Sequence, residues 1–248
     1  MQIAYTAKYN SGCISRQVGA VVTDEFFSMK SIGWNNTAQG QTPCLLRSVD
    51  DLINNSDNFS FSDYEKSSEF KDMIERTYKG VSKDNLKGRN ISFCFKECQN
   101  CKEGEKNQVH TRSLHAEENA MLQISKYGGE GLKGGFLFTT ASPCELCSKK
   151  AFQLGISKIY YIDPYPGIAQ EQILRTGKDE NRPKLELFVG AIGKAYHQLY
   201  APFMPYKDEL KILLEYDYNT ALDKATLKSR LEKKRKEIDD KLTELGDI

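Results

Sequence analysis

The fold of this chain is best predicted from the stretch "SLHAEENAML", residues 113–122. Its apolar residues have the spacing of an amphipathic helix, which Gly128 and Gly129 would end. His115 and Glu117 stand two residues apart at the start of this helix. A single histidine or glutamate on a helix is more often structural than functional, so the interpretation depends on partners elsewhere in the chain.

A second stretch, "SPCELC" at residues 142–147, supplies such partners. Cys144 and Cys147 are three residues apart at the start of a predicted helix, so their sulfurs share one helix face. A helix N-terminus favours the thiolate, which is the form of cysteine that binds metals. With His115 they would make the three protein ligands of a zinc site whose fourth position stays open for water, as in catalytic sites.

Glu117 would be the proton carrier of this site. From the first turn of its helix it could reach the open metal position without being a ligand. It would take a proton from the attacking water and pass it to the substrate. The competing interpretation is a purely structural zinc site, made by a C-x-x-C pair and a distant histidine. The glutamate, Pro143 and the strand–helix context argue against it.

The segments around these helices predict a mixed sheet. The runs 18–24 and 26–34 are rich in β-formers and are joined by a short acidic turn, which predicts a hairpin. Strands are also predicted at 134–140 and 156–163, on either side of a helix whose expected N-cap is Ser142. A strand–helix–strand unit of this spacing makes a parallel crossover. The chain should therefore fold as an α/β layer structure.

Two regions stand apart from this pattern. Residues 48–109 are polar and are expected to form an insertion, with one helix near 65–78 and an irregular, cysteine-dense segment at 94–110. A flexible surface excursion is the alternative to that helix. Residues 221–248 are highly charged and predict a long helix that follows one zinc-dependent domain at 1–220. Its apolar residues fall near heptad spacing: Leu227, Leu231, Ile238, Leu242 and Leu245. The basic part of this helix is better explained as a solvated face than as a nucleic-acid site.

The composition and the number of cysteines indicate which cellular compartment and which classes of partner to expect. The 248 residues are 39% hydrophobic and 28% charged, and the formal net charge of +1 gives no global basic field for a long nucleic acid. No run approaches 18 apolar residues, and the N-terminus has no secretion-signal pattern, which predicts a cytoplasmic protein that does not interact with membranes. In that compartment, seven cysteines favour metal binding over disulfides.

The motifs "HAE" and "SPCELC", together with "CISRQVGAVV" (residues 13–22) and "GWNN" (residues 33–36), resemble the deoxycytidylate deaminase branch of the cytidine deaminase superfamily. The pattern H-x-E…P-C-x-x-C is a known signature of zinc nucleobase deaminases and is recognised here rather than derived. The resemblance covers residues 1 to about 47 and about 110 to 165. It implies a cytidine-deaminase-like three-layer fold, with a mixed central sheet and helices on both faces.

The sequence after this region is similar to the deaminase region of bacterial anti-phage dCTP deaminases. That family joins a P-loop nucleotide-kinase-like domain to the deaminase, and this chain has no G-x-x-x-x-G-K-[ST] motif, so it would be a stand-alone relative or a piece. The resemblance implies zinc-dependent hydrolytic deamination of a free deoxycytidine nucleotide, dCTP or dCMP to dUTP or dUMP plus ammonia, in anti-phage nucleotide depletion. It also implies a homo-oligomer.

The resemblance further implies how a nucleotide would be held. Asn35 matches the family asparagine that hydrogen-bonds the substrate sugar, and the backbone of Ala116 and of Ser142 would contact the base edge. Arg16 would contact a phosphate. The plainer interpretations, a turn asparagine after a strand and a solvated arginine at a helix end, stay open for Asn35 and Arg16.

Some relatives carry a second, structural zinc, and five cysteines of this chain lie outside the catalytic pair. The favoured ligand set is Cys13, Cys44, Cys98 and Cys101. Cys94 or His110 could replace a member of that set, because "CQNC" is a common zinc-binding spacing but does not define the other two ligands. Buried thiols without a metal are the alternative.

Two other functions stay open. A polynucleotide deaminase, acting on tRNA adenosine or single-stranded cytosine, would use the same metal chemistry. The near-neutral charge and the lack of an obvious basic–aromatic groove count against it, and salt-dependent binding to single strands would favour it. A zinc-stabilised binding or assembly module without turnover would need zinc to fold but would convert no nucleotide.

Overall fold

The structure is a computed structural model that describes residues 1–193, 199, 202–216 and 224–246. The chain divides into two compact units, each built from two segments. The first unit comprises Met1–Pro43 and Ser113–Pro205, and the second comprises Cys44–Arg112 and Tyr206–Ile248.

The regular elements are numbered in chain order. The strands of the described residues are β1 (Gly19–Thr23), β2 (Met29–Trp34), β3 (Asn36–Thr37), β4 (Ser113–Leu114), β5 (Phe136–Ala141), β6 (Lys158–Asp163) and β7 (Lys184–Leu187). The α-helices there are α1 (Gln2–Ala7), α2 (Val49–Asn54), α3 (Asp63–Lys66), α4 (Ser68–Tyr78), α5 (Phe95–Glu103), α6 (Ala116–Tyr127), α7 (Glu145–Gln153), α8 (Tyr206–Leu214) and α9 (Lys224–Gly246). A short π-helical turn occupies Gln170–Leu174.

The first unit contains a five-stranded mixed sheet in the order β2-β1-β5-β6-β7. β1 pairs antiparallel with β2 and with β5, whereas β5 with β6 and β6 with β7 are parallel pairs. The predicted hairpin and the predicted parallel crossover are both confirmed. β3 and β4 form a separate antiparallel ladder in which Asn36 lies opposite Leu114.

Helices cover both faces of this sheet, because successive side chains of a strand point to opposite faces. Val22 packs in a core cluster with Ala120 of α6 and Ala151 of α7. Its neighbour Val21 packs instead with Ala4 of α1. The predicted three-layer α/β fold, with a mixed sheet and helices on both faces, is therefore confirmed.

The loop between β5 and α7 differs from the prediction. α7 begins at Glu145 and its N-cap residue is Cys144, so the expectation that Ser142 is the N-cap is wrong. The reason is that Ser142 has other partners. Its backbone N–H donates to the carbonyl oxygen of Asp163, and its hydroxyl oxygen accepts from the N–H of Tyr165.

The second unit has an apolar core of its own. Phe70 of α4, Phe93 and Leu210 of α8 are fully buried in one cluster. The helix predicted near 65–78 is confirmed by α4, but the prediction of an irregular segment at 94–110 is wrong for α5. Cysteine and asparagine are weak helix formers, yet burial of Cys98 in this cluster favours the helix over local propensity.

The charged C-terminal helix is confirmed by α9. Leu231 and Ile238 are 68% and 58% exposed, so these heptad positions face solvent in the single chain. The side chains of Leu242 and Leu245, and the predicted domain boundary at residue 220, lie outside the described residues. In the part of the chain that the structure describes, no helix is long and apolar enough to cross a membrane.

Candidate active site

Three metal-binding side chains meet where α6 and α7 begin. His115 is the N-cap of α6, Cys144 is the N-cap of α7, and Cys147 is buried in the first turn of α7. The Nδ1 atom of His115 lies 3.3 Å from Sγ of Cys144 and 3.5 Å from Sγ of Cys147. The three ligand atoms all lie within 4.8 Å of one another, so the structure brings the predicted ligands together.

The electrostatics of this group suit a metal. A hydrogen bond with Cys147, reinforced by His115, lowers the pKa of the Cys144 thiol far below its usual value although burial opposes it. The hydrogen bond with Cys144 and burial raise the pKa of Cys147. The hydrogen bond to Cys144 also raises the pKa of His115, against the effect of burial. These effects favour the thiolate form of Cys144.

These residues fit a zinc ion. One imidazole nitrogen and two cysteine sulfurs are the donor set of zinc sites in which a fourth position is left to water or substrate. Zinc would displace the shared proton of the two thiols, because a sulfur ligand must be deprotonated. No disulfide engages the sulfur of Cys144 or of Cys147.

Glu117 lies inside the first unit, beside the metal ligands. It is only 4% exposed, and its Oε1 accepts a hydrogen bond from the hydroxyl of Thr139 in β5 at 3.0 Å. Burial raises the pKa of this carboxyl above its usual value. A carboxyl with a raised pKa is suited to accept and return a proton near neutral pH.

The start of α6 is held against β2 by a close backbone approach. A Cβ atom added to Gly33 would lie 2.4 Å from the carbonyl oxygen of Ala116 and 2.3 Å from the nitrogen of Ala120. Only a glycine permits this packing. The approach accounts for the glycine of the "GWNN" motif, which packs against the first turns of α6.

A sequence model described as "Cytidine and deoxycytidylate deaminase zinc-binding region" matches residues 1–163. This match includes His115, Glu117, Cys144 and Cys147 and covers more than half of the chain. The chain belongs to this deaminase family. The expected membership of the deoxycytidylate deaminase branch is confirmed.

Named relatives of the chain include a deoxycytidylate deaminase of Enterobacteria phage T2, 28% identical over 75% of this chain and 91% of that protein. "ComE operon protein 2" of Bacillus subtilis is 38% identical over 34% of this chain. The chain spans about half the length of that protein (51%) and a quarter of the length of the yeast deoxycytidylate deaminase (25%). The solved dCMP deaminase of cyanophage S-TIM5, in complex with dCMP and dUMP, is 24% identical over 75% of this chain and 90% of that chain, with a TM-score of 0.43.

The residues predicted to contact a substrate have protein partners. Asn35 is buried, and its side chain accepts from the N–H of Val18 and donates to the carbonyl oxygen of Arg16. The guanidinium of Arg16 lies 3.5 Å from a carboxylate oxygen of Asp163. Ala116 is fully buried at the start of α6. Contacts of these residues with a nucleotide stay predictions.

Two residues near the site were not predicted from the sequence. Thr139 is fully buried and hydrogen-bonds Glu117, and Glu145 accepts from the N–H of Ile168. Threonine is a common strand residue and β5 is buried along almost its whole length, so no pattern distinguished Thr139. For Glu145 the available signal was its position between the two cysteines of the C-x-x-C motif.

The predicted ligands of a second zinc fall in both units. Cys13 belongs to the first unit, and Cys44, Cys98 and Cys101 belong to the second. His110, the alternative ligand, pairs with Glu103 at 2.8 Å through its Nε2 atom. The composition of this second set stays a prediction.

Proposed function

We propose that the chain hydrolytically deaminates a free deoxycytidine nucleotide at one zinc ion held by His115, Cys144 and Cys147. The observation that carries this proposal is the convergence of these three ligand atoms within 4.8 Å beside the buried carboxyl of Glu117. A bound zinc would act as a Lewis acid that makes water nucleophilic near neutral pH.

Glu117 would move the protons of the reaction. Its carboxylate takes a proton from the attacking water and places it on N3 of the cytosine ring, while the water oxygen bonds to C4. It then takes the proton of the new hydroxyl and delivers it to the amino group, which leaves as ammonia. The products are the uracil nucleotide and one ammonia for each water consumed.

The substrate contacts are proposed from the family resemblance and from position. Asn35 would hydrogen-bond the sugar, and the backbone of Ala116 and of Ser142, on either side of the ligands, would contact the base edge. Arg16 is 42% exposed and would exchange its contact with Asp163 for a phosphate oxygen. Asn35 can accept this role in addition to its protein partners, because an amide offers two donors and two acceptor lone pairs.

We favour dCMP over dCTP as the substrate, because the phage T2 relative, of which 91% is matched, is named a deoxycytidylate deaminase. Conversion of dCTP, anti-phage nucleotide depletion, a homo-oligomeric state and a cytoplasmic location stay predictions. A second, structural zinc on Cys13, Cys44, Cys98 and Cys101 also stays a prediction. Elemental analysis that finds two zinc ions per chain, and one after Cys98→Ser, would support it.

The proposed function is tested by incubating the zinc-loaded full chain with dCMP, dCTP, CMP and CTP, with mass-resolved detection of products. We expect dUMP and ammonia from dCMP. A single-stranded deoxycytidine oligonucleotide and an unmodified tRNA serve as further arms. Product from these polymers alone would favour the polynucleotide deaminase. A zinc-bound, folded protein that converts nothing would favour the binding module.

A further inference from the structure

The segment 163–168, which is the last residue of β6 and the loop after it, is attached to the segment that carries the metal ligands. The backbone N–H of Ser142 donates to the carbonyl oxygen of Asp163 at 2.9 Å. In return, the N–H of Tyr165 donates to the hydroxyl oxygen of Ser142 at 2.6 Å. The start of the loop is thus hydrogen-bonded to Ser142, which lies two residues before the first cysteine ligand, Cys144.

Glu145 makes the attachment at the other end of the loop. It lies between Cys144 and Cys147, and its Oε1 accepts a hydrogen bond from the N–H of Ile168 at 2.8 Å. A Cβ atom added to Gly167 would lie 2.7 Å from the same carboxylate oxygen, so an alanine at this position would push the carboxylate away from its present place. A carboxylate in the first turn of a helix is also favoured by the helix dipole.

The attached loop carries the groups that surround Arg16. The guanidinium of Arg16 lies 3.5 Å from the carboxylate of Asp163 and 6.0 Å from the ring centre of Tyr165. Asp163 is 60% exposed, so this group is open to solvent and accessible to a charged ligand. A shift of the loop would therefore change the surroundings of the Arg16 guanidinium.

We infer that Glu145 is a positioning residue for the substrate. By holding residues 163–168 on the turn that carries Cys144 and Cys147, it fixes Asp163, Tyr165 and the neighbouring Arg16 at a set distance from the metal centre. It binds neither the metal nor the reacting atoms. The inference rests on the proposed function, because the ligand that Arg16 would meet is the phosphate of the nucleotide.

The test compares the zinc-loaded full chain with its Glu145→Ala variant. We expect hydrogen exchange in the peptide that contains Ile168 to become about tenfold faster, because one charge-assisted hydrogen bond is lost. We expect KM for dCMP to rise about fivefold with kcat changed less than twofold, since a binding contact is weakened and the chemistry is not. Zinc content should stay the same.

Three further variants separate positioning from a general structural effect. Glu145→Gln keeps an oxygen that can accept from Ile168 and should restore most of the KM. Gly167→Ala displaces the carboxylate without removing it and should raise KM as Glu145→Ala does. Glu171→Ala removes the same charge at an exposed position four residues after Gly167 and should change none of these quantities.

An unchanged KM and unchanged exchange in Glu145→Ala would overturn the inference, and so would a loss of zinc or a fall in kcat alone. If the wild-type chain converts no nucleotide, the proposed function fails. The role of Glu145 is then judged from the affinity for dUMP, measured by calorimetry, which should weaken about fivefold in the variant. Failure of the wild-type chain to bind dUMP would overturn both.

Discussion

The hydroxyl of Thr139 lies 3.0 Å from Oε1 of Glu117 and 2.9 Å from the carbonyl oxygen of Ala141. A hydroxyl has one proton and can donate to only one of these oxygens at a time. When Glu117 is ionised, Thr139 donates to the carboxylate. When Glu117 carries a proton, it can donate to Thr139, which then donates to Ala141. Thr139 thus has a partner for both proton states of Glu117.

Thr139→Val should therefore impair proton transfer. Valine has nearly the same shape but removes the hydroxyl, so Glu117 loses the contact that keeps its orientation in both proton states. We expect kcat to fall about tenfold, the effect of one buried hydrogen bond, with zinc content unchanged. Steady-state kinetics measures kcat, and elemental analysis measures the zinc content.

The matched control is Thr140→Val. The hydroxyl of Thr140 is buried one residue further along β5 and accepts from the N–H of Gly19. Its loss should lower the melting temperature but leave kcat within twofold. Thr139→Ser, which keeps a hydroxyl, should restore most of the activity. Equal kcat values for Thr139→Val and the wild type would contradict a role in proton transfer.

Gly33→Ala tests how α6 is placed. The new Cβ would meet the backbone of Ala116 and Ala120 at less than 2.5 Å, and backbone atoms cannot move aside without shifting the helix. Overpacking of this kind costs about 1–3 kcal/mol. We expect a lower melting temperature and weaker zinc binding, because His115 is the N-cap residue of that helix.

Gly131→Ala is the control for this substitution, since nothing lies within 4 Å of its added Cβ atom. It should leave melting temperature and zinc content as in the wild type. A Gly33→Ala protein that keeps full zinc affinity would show that the helix start can shift without moving His115.

The ligand set could be predicted from the sequence because each residue belongs to a short local pattern. The spacing of Cys144 and Cys147 places both on one helix face, and His115 stands at a recognisable helix start. The hydroxyl partner of Glu117 could not be predicted. It depends on the strand register that brings β5 under α6, and that register is set by packing across the whole sheet.

The core of the second unit could not be predicted from the sequence. Its segment 44–112 is polar and gave a clear helix signal only around α4, because its core is formed by apolar residues far apart in sequence. Phe61, Phe93 and Leu210 pack together only after the chain has returned from residue 206. Local periodicity cannot show such a core.

Glu117→Gln separates metal binding from chemistry. The amide keeps the size of the side chain and can still accept from Thr139, but it cannot take a proton from water. We expect zinc content to be unchanged and kcat to fall by about 10²–10⁴-fold, the usual contribution of a general acid–base group. Ammonia release measured under saturating dCMP gives kcat.

The outcome that would contradict the role of Glu117 is turnover by Glu117→Gln within tenfold of the wild type. Cys144→Ser is the complementary variant. It removes a ligand rather than the proton carrier, so zinc content and turnover should be lost together. Different patterns for the two variants would confirm that the metal site and the carboxyl act separately.

A buried ion pair in the second unit gives the last prediction. Arg47 and Glu65 form an ion pair in which the two side chains are 0% and 1% exposed, and the guanidinium lies 4.5 Å and 4.9 Å from the ring centres of Phe61 and Phe93. Arg47→Met would fill similar space but leave the Glu65 carboxylate buried without its counter-charge. We expect the variant to lose about 3–5 kcal/mol of unfolding free energy.

The exposed pair between Lys83 and Asp50 is the matched control for this prediction, because its side chains are 57% and 47% exposed. Lys83→Met should cost roughly 1 kcal/mol or less, since water screens the pair. Urea unfolding, monitored by hydrogen exchange of peptides from each unit, gives the unfolding free energy of both variants. The loss in Arg47→Met should appear in second-unit peptides, because its aromatic neighbours lie in that core. Equal losses for the two variants would show that burial adds nothing to the Arg47 pair.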